Sequence, residues 1–163
     1  MKRLTEKLAS TVLTFILLAA VSHGADAKPA NLLKDWDSKK PLSTEIKVTD
    51  AVTQTIILNQ KVATPITFSA ESKCNDVTDK ASAYYSVFLN IEFMDGSKKG
   101  GICQPFKTGT HDWEKAEKTY VPPKPIKEVK FYLLFRKRAG EGWFRNPSLI
   151  EGKVEAQKDA DKK

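Results

Sequence analysis

The residues with the most useful chemistry fall at alternate positions of two apolar segments. In residues 84–94, Phe88, Asn90 and Glu92 share one register with Ser86, while Tyr85, Val87, Leu89, Ile91 and Phe93 occupy the other. In residues 129–136, Lys130, Tyr132, Leu134 and Arg136 alternate with Val129, Phe131, Leu133 and Phe135. Side chains of an extended strand point to opposite sides in turn, so the two apolar sets can meet in a core. The remaining sets then face outward, and they share a surface if both strands belong to one sheet. Aromatic rings offer apolar platforms to the C–H faces of sugars, and planar polar side chains bond hydroxyls. We therefore expect a ligand face on which Phe88 and Tyr132 stack, Asn90, Glu92 and Gln104 bond hydroxyls, and Arg136 receives a carboxylate or sulfate. Tyr84 and Trp143 are further stacking candidates, although Trp143 and Trp113, both at strand beginnings, read better as packing residues. Leu134 on the same register implies that part of this face is covered. The basic run 136–138, with Arg145 nearby, favours an acidic ligand over a neutral one.

Catalytic arrangements are sparse. His111 is the single histidine beyond His23, which excludes a multi-histidine metal centre, and its setting in Gly109-Thr110-His111-Asp112-Trp113 reads as a turn bonding the backbone. No serine has nucleophile-elbow context. Glu71 and Glu92 lie on the non-core registers of their strands and could share a face, but a pair of carboxylates on a sheet is more often solvated than catalytic. Gly100-Gly101 precedes no helix and cradles no phosphate. The expectation is a non-enzyme with no cofactor and no metal.

The elements that must hold these residues are strands. Residues 55–58, 66–70, 84–94, 102–106 and 113–121 carry β-branched or alternating apolar residues, and Asp95-Gly96 is a strong turn signal. Pro105 marks an edge or bulge. Residues 131–149 read as a hairpin turning at Ala139-Gly140-Glu141-Gly142. No helical periodicity is sustained, so an all-β antiparallel sandwich is expected over residues 45–152. Residues 28–44 form an irregular segment that Leu32, Leu33 and Trp36 pin to the core, and residues 153–163 form a disordered charged tail.

Residues 1–27 read as a signal peptide, with cations at Lys2, Arg3 and Lys7, an apolar run over 11–21 and a small-x-small site at Ala25-Asp26-Ala27. Its removal lowers the formal charge from +7 only to +6, and the mature chain is expected to be secreted or periplasmic, with no transmembrane segment and no attached enzyme. A basic balance outside the cytosol favours acidic polymers, such as a polysaccharide or a cell-surface glycan, over nucleic acid. It fixes no oligomeric state. The two cysteines, Cys74 and Cys103, are expected to form one disulfide in an exported chain.

Residues 85–92 with Asp95-Gly96, then Gly109-Thr110-His111-Asp112-Trp113, Pro125-Ile126, Leu133-Leu134-Phe135-Arg136 and Trp143-Phe144 together resemble a galactose-binding-domain-like jelly roll of the carbohydrate-binding-module type found in secreted bacterial proteins. The resemblance spans residues 45–151 and implies two packed antiparallel sheets, a face open to a ligand, and no catalysis. Similar domains often place acids after the Trp-Phe pair to help hold a structural calcium ion. Arg145-Asn146 stands there instead, and a cation repels calcium. Glu71 occupies a stretch where many relatives expose an aromatic. The first function expected is a carbohydrate-binding module without catalysis, with an acidic polysaccharide as its ligand. The alternative is a structural or protein-interaction domain of the cell envelope, and a small secreted hydrolase ranks last.

Overall fold

Eight strands and no helix form among the residues described by the computed structural model, 29–34, 42–43, 49–78 and 80–152. In chain order the strands are β1 (Leu42–Ser43), β2 (Thr49–Ile57), β3 (Ile66–Val77), β4 (Tyr85–Phe93), β5 (Lys98–Pro105), β6 (Gly109–Tyr120), β7 (Ile126–Arg136) and β8 (Glu141–Glu151). They build two four-stranded antiparallel sheets, ordered β1-β8-β3-β6 and β2-β7-β4-β5. The all-β antiparallel sandwich is therefore the fold. The expected signal peptide, Trp36 and the charged tail lie outside the described residues.

Alternation accounts for the core. On β4 and β7, Tyr85, Val87, Leu89, Ile91, Val129, Phe131, Leu133 and Phe135 are all buried. They meet Phe68, Ala70, Phe144 and Leu149 of the facing sheet in one cluster. Tyr85 sits at its centre, with ring centroids 5.2 Å from Phe106, 5.4 Å from Phe135 and 5.7 Å from Phe144. Burying each of these large side chains contributes about 2–3 kcal/mol. The Tyr85 hydroxyl is bonded to Ser72 Oγ, and Ser72 Oγ donates to Trp143 O at 2.8 Å. Burial pushes the phenol well above its ordinary pKa, so it stays protonated.

Residues 131–149 are not a hairpin. β7 and β8 lie in different sheets, and residues 137–140 pass from one to the other. Arg138, 2% exposed, explains the crossing: its guanidinium donates to the carbonyls of Thr78 and Lys80 and to Ser82 Oγ, tying the link to the loop before β4. Gly140 has φ +98°, and a Cβ there would lie 2.5 Å from Asp76 O. Glycine is required for that approach. Of the consecutive strand pairs, only β4 and β5 are hydrogen-bonded neighbours, joined by the turn at Asp95-Gly96.

The segment before β1 does pin to the sandwich. Leu33 is buried, and Leu32 N donates to Leu149 O at 2.9 Å. Asn31 accepts from Leu149 N and donates to Pro147 O, while Leu32 packs against the core.

Candidate functional site

The sheet β2-β7-β4-β5 brings the two ligand-face segments together as hydrogen-bonded neighbours. Phe88 stands opposite Tyr132, Asn90 opposite Lys130, and Glu92 opposite Glu128. Directly opposed residues of an antiparallel pair share a face. Phe88 and Tyr132 make an edge-to-face pair with centroids 5.8 Å apart and planes at 81°. Asn90 Nδ2 donates to Tyr132 Oη at 3.5 Å, aiming its amide along the same face. Beside them opens a groove of about 310 Å³, lined by Asn90, Glu92, Lys98, Lys99, Lys130 and Tyr132 among others.

The charges in the groove are unevenly satisfied. Glu92 accepts from Lys127 Nζ at 2.7 Å and lies 3.7 Å from Lys98 Nζ. Lys127 holds the Glu92 carboxyl below the usual carboxylate range, so it is ionised at neutral pH. Lys99 and Lys130 have no ion-pair partner among the described residues. Lys130 thus stands on the aromatic–amide face, while Lys99, opposite Ile91 on the core register, also lines the groove at the β5 edge. Sequence reasoning placed Lys130 on this register but gave it no role, and missed Lys99 because β5 is irregular there.

That irregularity also displaces Gln104. Lys98 and Lys99 pair with Glu92 and Ile91, but Ile102 already pairs with Leu89, so Gly100 and Gly101 together face Asn90 in a β-bulge. Gly101 has φ +77°, and a Cβ on Gly100 would lie 2.9 Å from Asn90 Oδ1. Strand side chains alternate, so one extra residue moves every later side chain to the other face. Without the bulge, counting back from Lys98 would set Gln104 opposite Ser86 on the ligand register. With it, Gln104 stands opposite Val87 on the core register and lines the seam with Lys115, Ala116 and Glu117 of β6. Gln104 is therefore not on the ligand face.

Cys103 takes that outward position, opposite Phe88. Cys74, on β3, is buried in the core, with its Sγ donating to Gly109 O at 3.2 Å. Both thiols are free, so the expected disulfide is not formed. The reason is direction: one sulfur points between the sheets and the other away from them. Burial pushes the Cys74 thiol pKa up.

Arg136 shares the register of Tyr132 but not its groove. It lies four residues further along β7, about 13 Å at strand rise, with Leu134 between them buried to 6% exposure. Its guanidinium stacks 4.7 Å from the ring centroid of Tyr84, and its buried Nε has no hydrogen-bond partner among the described residues. Ser86 Oγ donates to Ala83 O, so the loop before β4 folds over this end. This is the covered part that Leu134 implied.

Glu71 and Glu92 do not share a face. Glu71, on β3 of the other sheet, accepts from Arg145 Nε at 2.6 Å and from Asn146 Nδ2 at 3.1 Å. Those bonds hold its carboxyl below the usual range as well, so neither acid is poised to donate a proton in a paired mechanism. Asn146 reaches Glu71 because β8 bulges there, with Asn146 and Pro147 together opposite Ala70 and Asn146 at φ +50°. Arg145 also stacks 4.1 Å from the Trp113 ring, and Lys73 lies 5.5 Å from Trp113 and 5.1 Å from Trp143. Both tryptophans are packing partners for cations. His111, now within β6, has Nδ1 2.7 Å from Asp112 O and Nε2 3.1 Å from Lys107 O, which fits its expected backbone role.

Fold and groove together define a small jelly-roll-type β-sandwich with a cationic, aromatic surface cleft. No family model matches the chain. It is 32% identical over 136 residues to the tRNA3(Ser)-specific nuclease WapA of Bacillus spizizenii and to the tRNA nuclease WapA of Bacillus subtilis. The match takes in 80% of this chain but spans only 6% of the length of those relatives. Among solved structures it is similar to a family 16 carbohydrate-binding module, at 18% identity over 68% of this chain and 74% of that one, with a TM-score of 0.47. It is also similar to the CBM22-1 xylan-binding domain from Paenibacillus barcinonensis Xyn10C, at 8% identity over 77% and 97%, with a TM-score of 0.41.

Proposed function

We propose that this domain binds a carbohydrate chain without catalysis, on the outer face of β2-β7-β4-β5, and that the chain is acidic. The observation that supports this most is the groove itself. Tyr132, packed edge-to-face on Phe88, gives it an apolar wall, Asn90 gives it a planar hydrogen-bonding group, and Lys99 and Lys130 line it beside Glu92 and Glu128 without an ion-pair partner among the described residues. A uronate or sulfate ester on a sugar chain supplies that missing partner. We place this activity outside the cytosol, in keeping with the signal peptide read from the sequence.

Binding of the purified chain to an array of neutral, uronate-bearing and sulfated polysaccharides tests the reading. We expect signal on the acidic members that weakens as salt rises, since exposed charges are screened within about 8 Å at physiological ionic strength. Silence on every glycan would overturn it. One observation favours a second reading, an interaction domain of the cell envelope: most of this chain recurs as a small fraction of much longer proteins. Such a domain would leave the array silent and bind a protein instead.

A further inference from the structure

The two flanks of the sandwich end in very different edge strands. On one flank, β5 carries Lys98, Lys99, a glycine bulge and Pro105, and β6 carries Glu114, Lys115, Glu117 and Lys118. Lys118 Nζ reaches across to Cys103 O at 3.2 Å and ties the two edges together. Charges, bulges and prolines of this kind are how native sheets prevent edge-to-edge pairing. On the other flank, β2 reads TDAVTQTII, with one charge, Asp50, and neither glycine, proline nor lysine.

Among the described strands, β2 pairs with β7 alone. Leu58 N donates to Lys127 O at 2.9 Å, which fixes the alternation of an unbroken antiparallel ladder. Asp50, Val52, Gln54 and Ile56 direct their backbone groups to β7. Ala51, Thr53, Thr55 and Ile57 direct theirs outward, and none has a backbone partner among the described residues. Among the described residues before β1, Lys34 meets β2 through a side chain: Gln54 accepts from Lys34 N and donates to Lys34 O. A groove of about 500 Å³, walled by Leu32 and Lys34, runs along Gln54, Thr55, Ile56 and Ile57.

We propose that this edge pairs with the same edge of a second copy, forming a two-fold dimer through β2. The strand is self-complementary. With the axis at Thr53, the two Thr53 residues face each other, Ala51 faces Thr55, Thr49 faces Ile57, Val52 faces Gln54, and Asp50 faces Ile56. Threonine pairs across strands are favourable, and no like charges stand opposite. A two-fold contact repeats one patch on both subunits, and a strand whose single charge, Asp50, stands opposite Ile56 needs no partner of opposite charge. The joined sheet runs β5-β4-β7-β2 through the axis to its copy, with both outer faces on the same side. The inference does not rest on carbohydrate binding.

Sedimentation equilibrium of the purified chain, from micromolar to submillimolar concentration, tests it. The parent is expected to dimerise. Thr53→Lys sets like charges opposite each other at the axis and is expected to weaken the dimer about tenfold or more. Glu117→Lys, on the β6 edge, is expected to leave the dimer intact. Hydrogen exchange of the parent gives a readout independent of variant folding: the Thr53 and Thr55 amides should slow as concentration rises. A parent that stays monomeric, a dimer indifferent to Thr53→Lys, or edge amides that exchange equally fast at all concentrations would each overturn the proposal. A monomer whose edge instead takes up an unrelated extended peptide would overturn it too, and assign the edge to another partner.

Discussion

The two outer faces of the sandwich use similar side chains for opposite ends. On β1-β8-β3-β6, cations and aromatics satisfy one another: Lys73 lies between Trp143 and Trp113, and Arg145 covers Trp113 while bonding Glu71. On β2-β7-β4-β5, the aromatic pair Phe88 and Tyr132 has no cation stacked on it among the described contacts, and Lys130, with Lys99 of the adjoining groove, has no ion-pair partner among the described residues. A face whose groups are mutually satisfied contributes to stability. One whose groups lack partners costs little to expose in water and gains when a ligand supplies them. Counting aromatic and basic residues does not distinguish the two faces, but tracing which group each one touches does.

The sharpest way to break this comparison is to exchange the consequences. Lys99→Ala with Lys130→Ala should reduce binding to an acidic polysaccharide by about tenfold or more, near 1.4 kcal/mol, while leaving Tm nearly unchanged. Titration calorimetry and thermal melts read the two quantities separately. Arg145→Ala should do the reverse. It removes a half-exposed ion pair and a cation–π contact, for about 1 kcal/mol of stability, and binding should match the parent. If Arg145→Ala abolishes binding and the lysine pair does not, the faces have been assigned the wrong way round.

A smaller effect concerns acid. Arg145 holds the Glu71 carboxyl below its ordinary pKa in the folded chain. Its contribution is therefore complete above the unfolded carboxylate range, and is lost as pH falls through the lower folded value. Stability of the parent should decline through this acid window more steeply than that of Arg145→Ala, as denaturant melts at successive pH values would show. Smallest of all is a difference between thiols. Cys103, partly exposed on the ligand face, should react with a thiol reagent quickly, and Cys74 only on slow opening of the core. One fast and one slow equivalent are expected. Two unreactive sulfurs in unreduced protein would restore the disulfide that the structure leaves unformed.

Much of this arrangement was legible in the sequence because strand alternation is local. Phe88, Asn90, Glu92 and Tyr132 were placed on one outward register from spacing alone, and β4 and β7 do pair. What stayed hidden depends on contacts distant in sequence. The link at 137–140 has the glycine of a hairpin, yet buried Arg138, held by Thr78, Lys80 and Ser82, sends the chain to the other sheet. Arg136 has the right register and the wrong neighbourhood, because the loop before β4 closes over Leu134. Glu71 and Glu92 have equivalent local patterns, and sheet membership, which no local pattern encodes, puts them on opposite sides.

The glycine pair at 100–101 has a consequence for how this chain tolerates change in length. Between Gly101 and Pro105 the strand is in phase only because an odd residue has been absorbed upstream. Deleting Gly101 would therefore only remove the bulge, leaving Gly100 opposite Asn90 and Ile102 still opposite Leu89 in the core, a change far milder than the loss of a strand residue suggests. Deleting Gly100 and Gly101 together would instead set Ile102 opposite Asn90 on the outward register and turn Cys103 toward the interior. In a library of deletions at residues 100–101, survivors should be enriched for the single-residue change over the double one, whereas the loops at 58–65 and 121–125 should show no such parity.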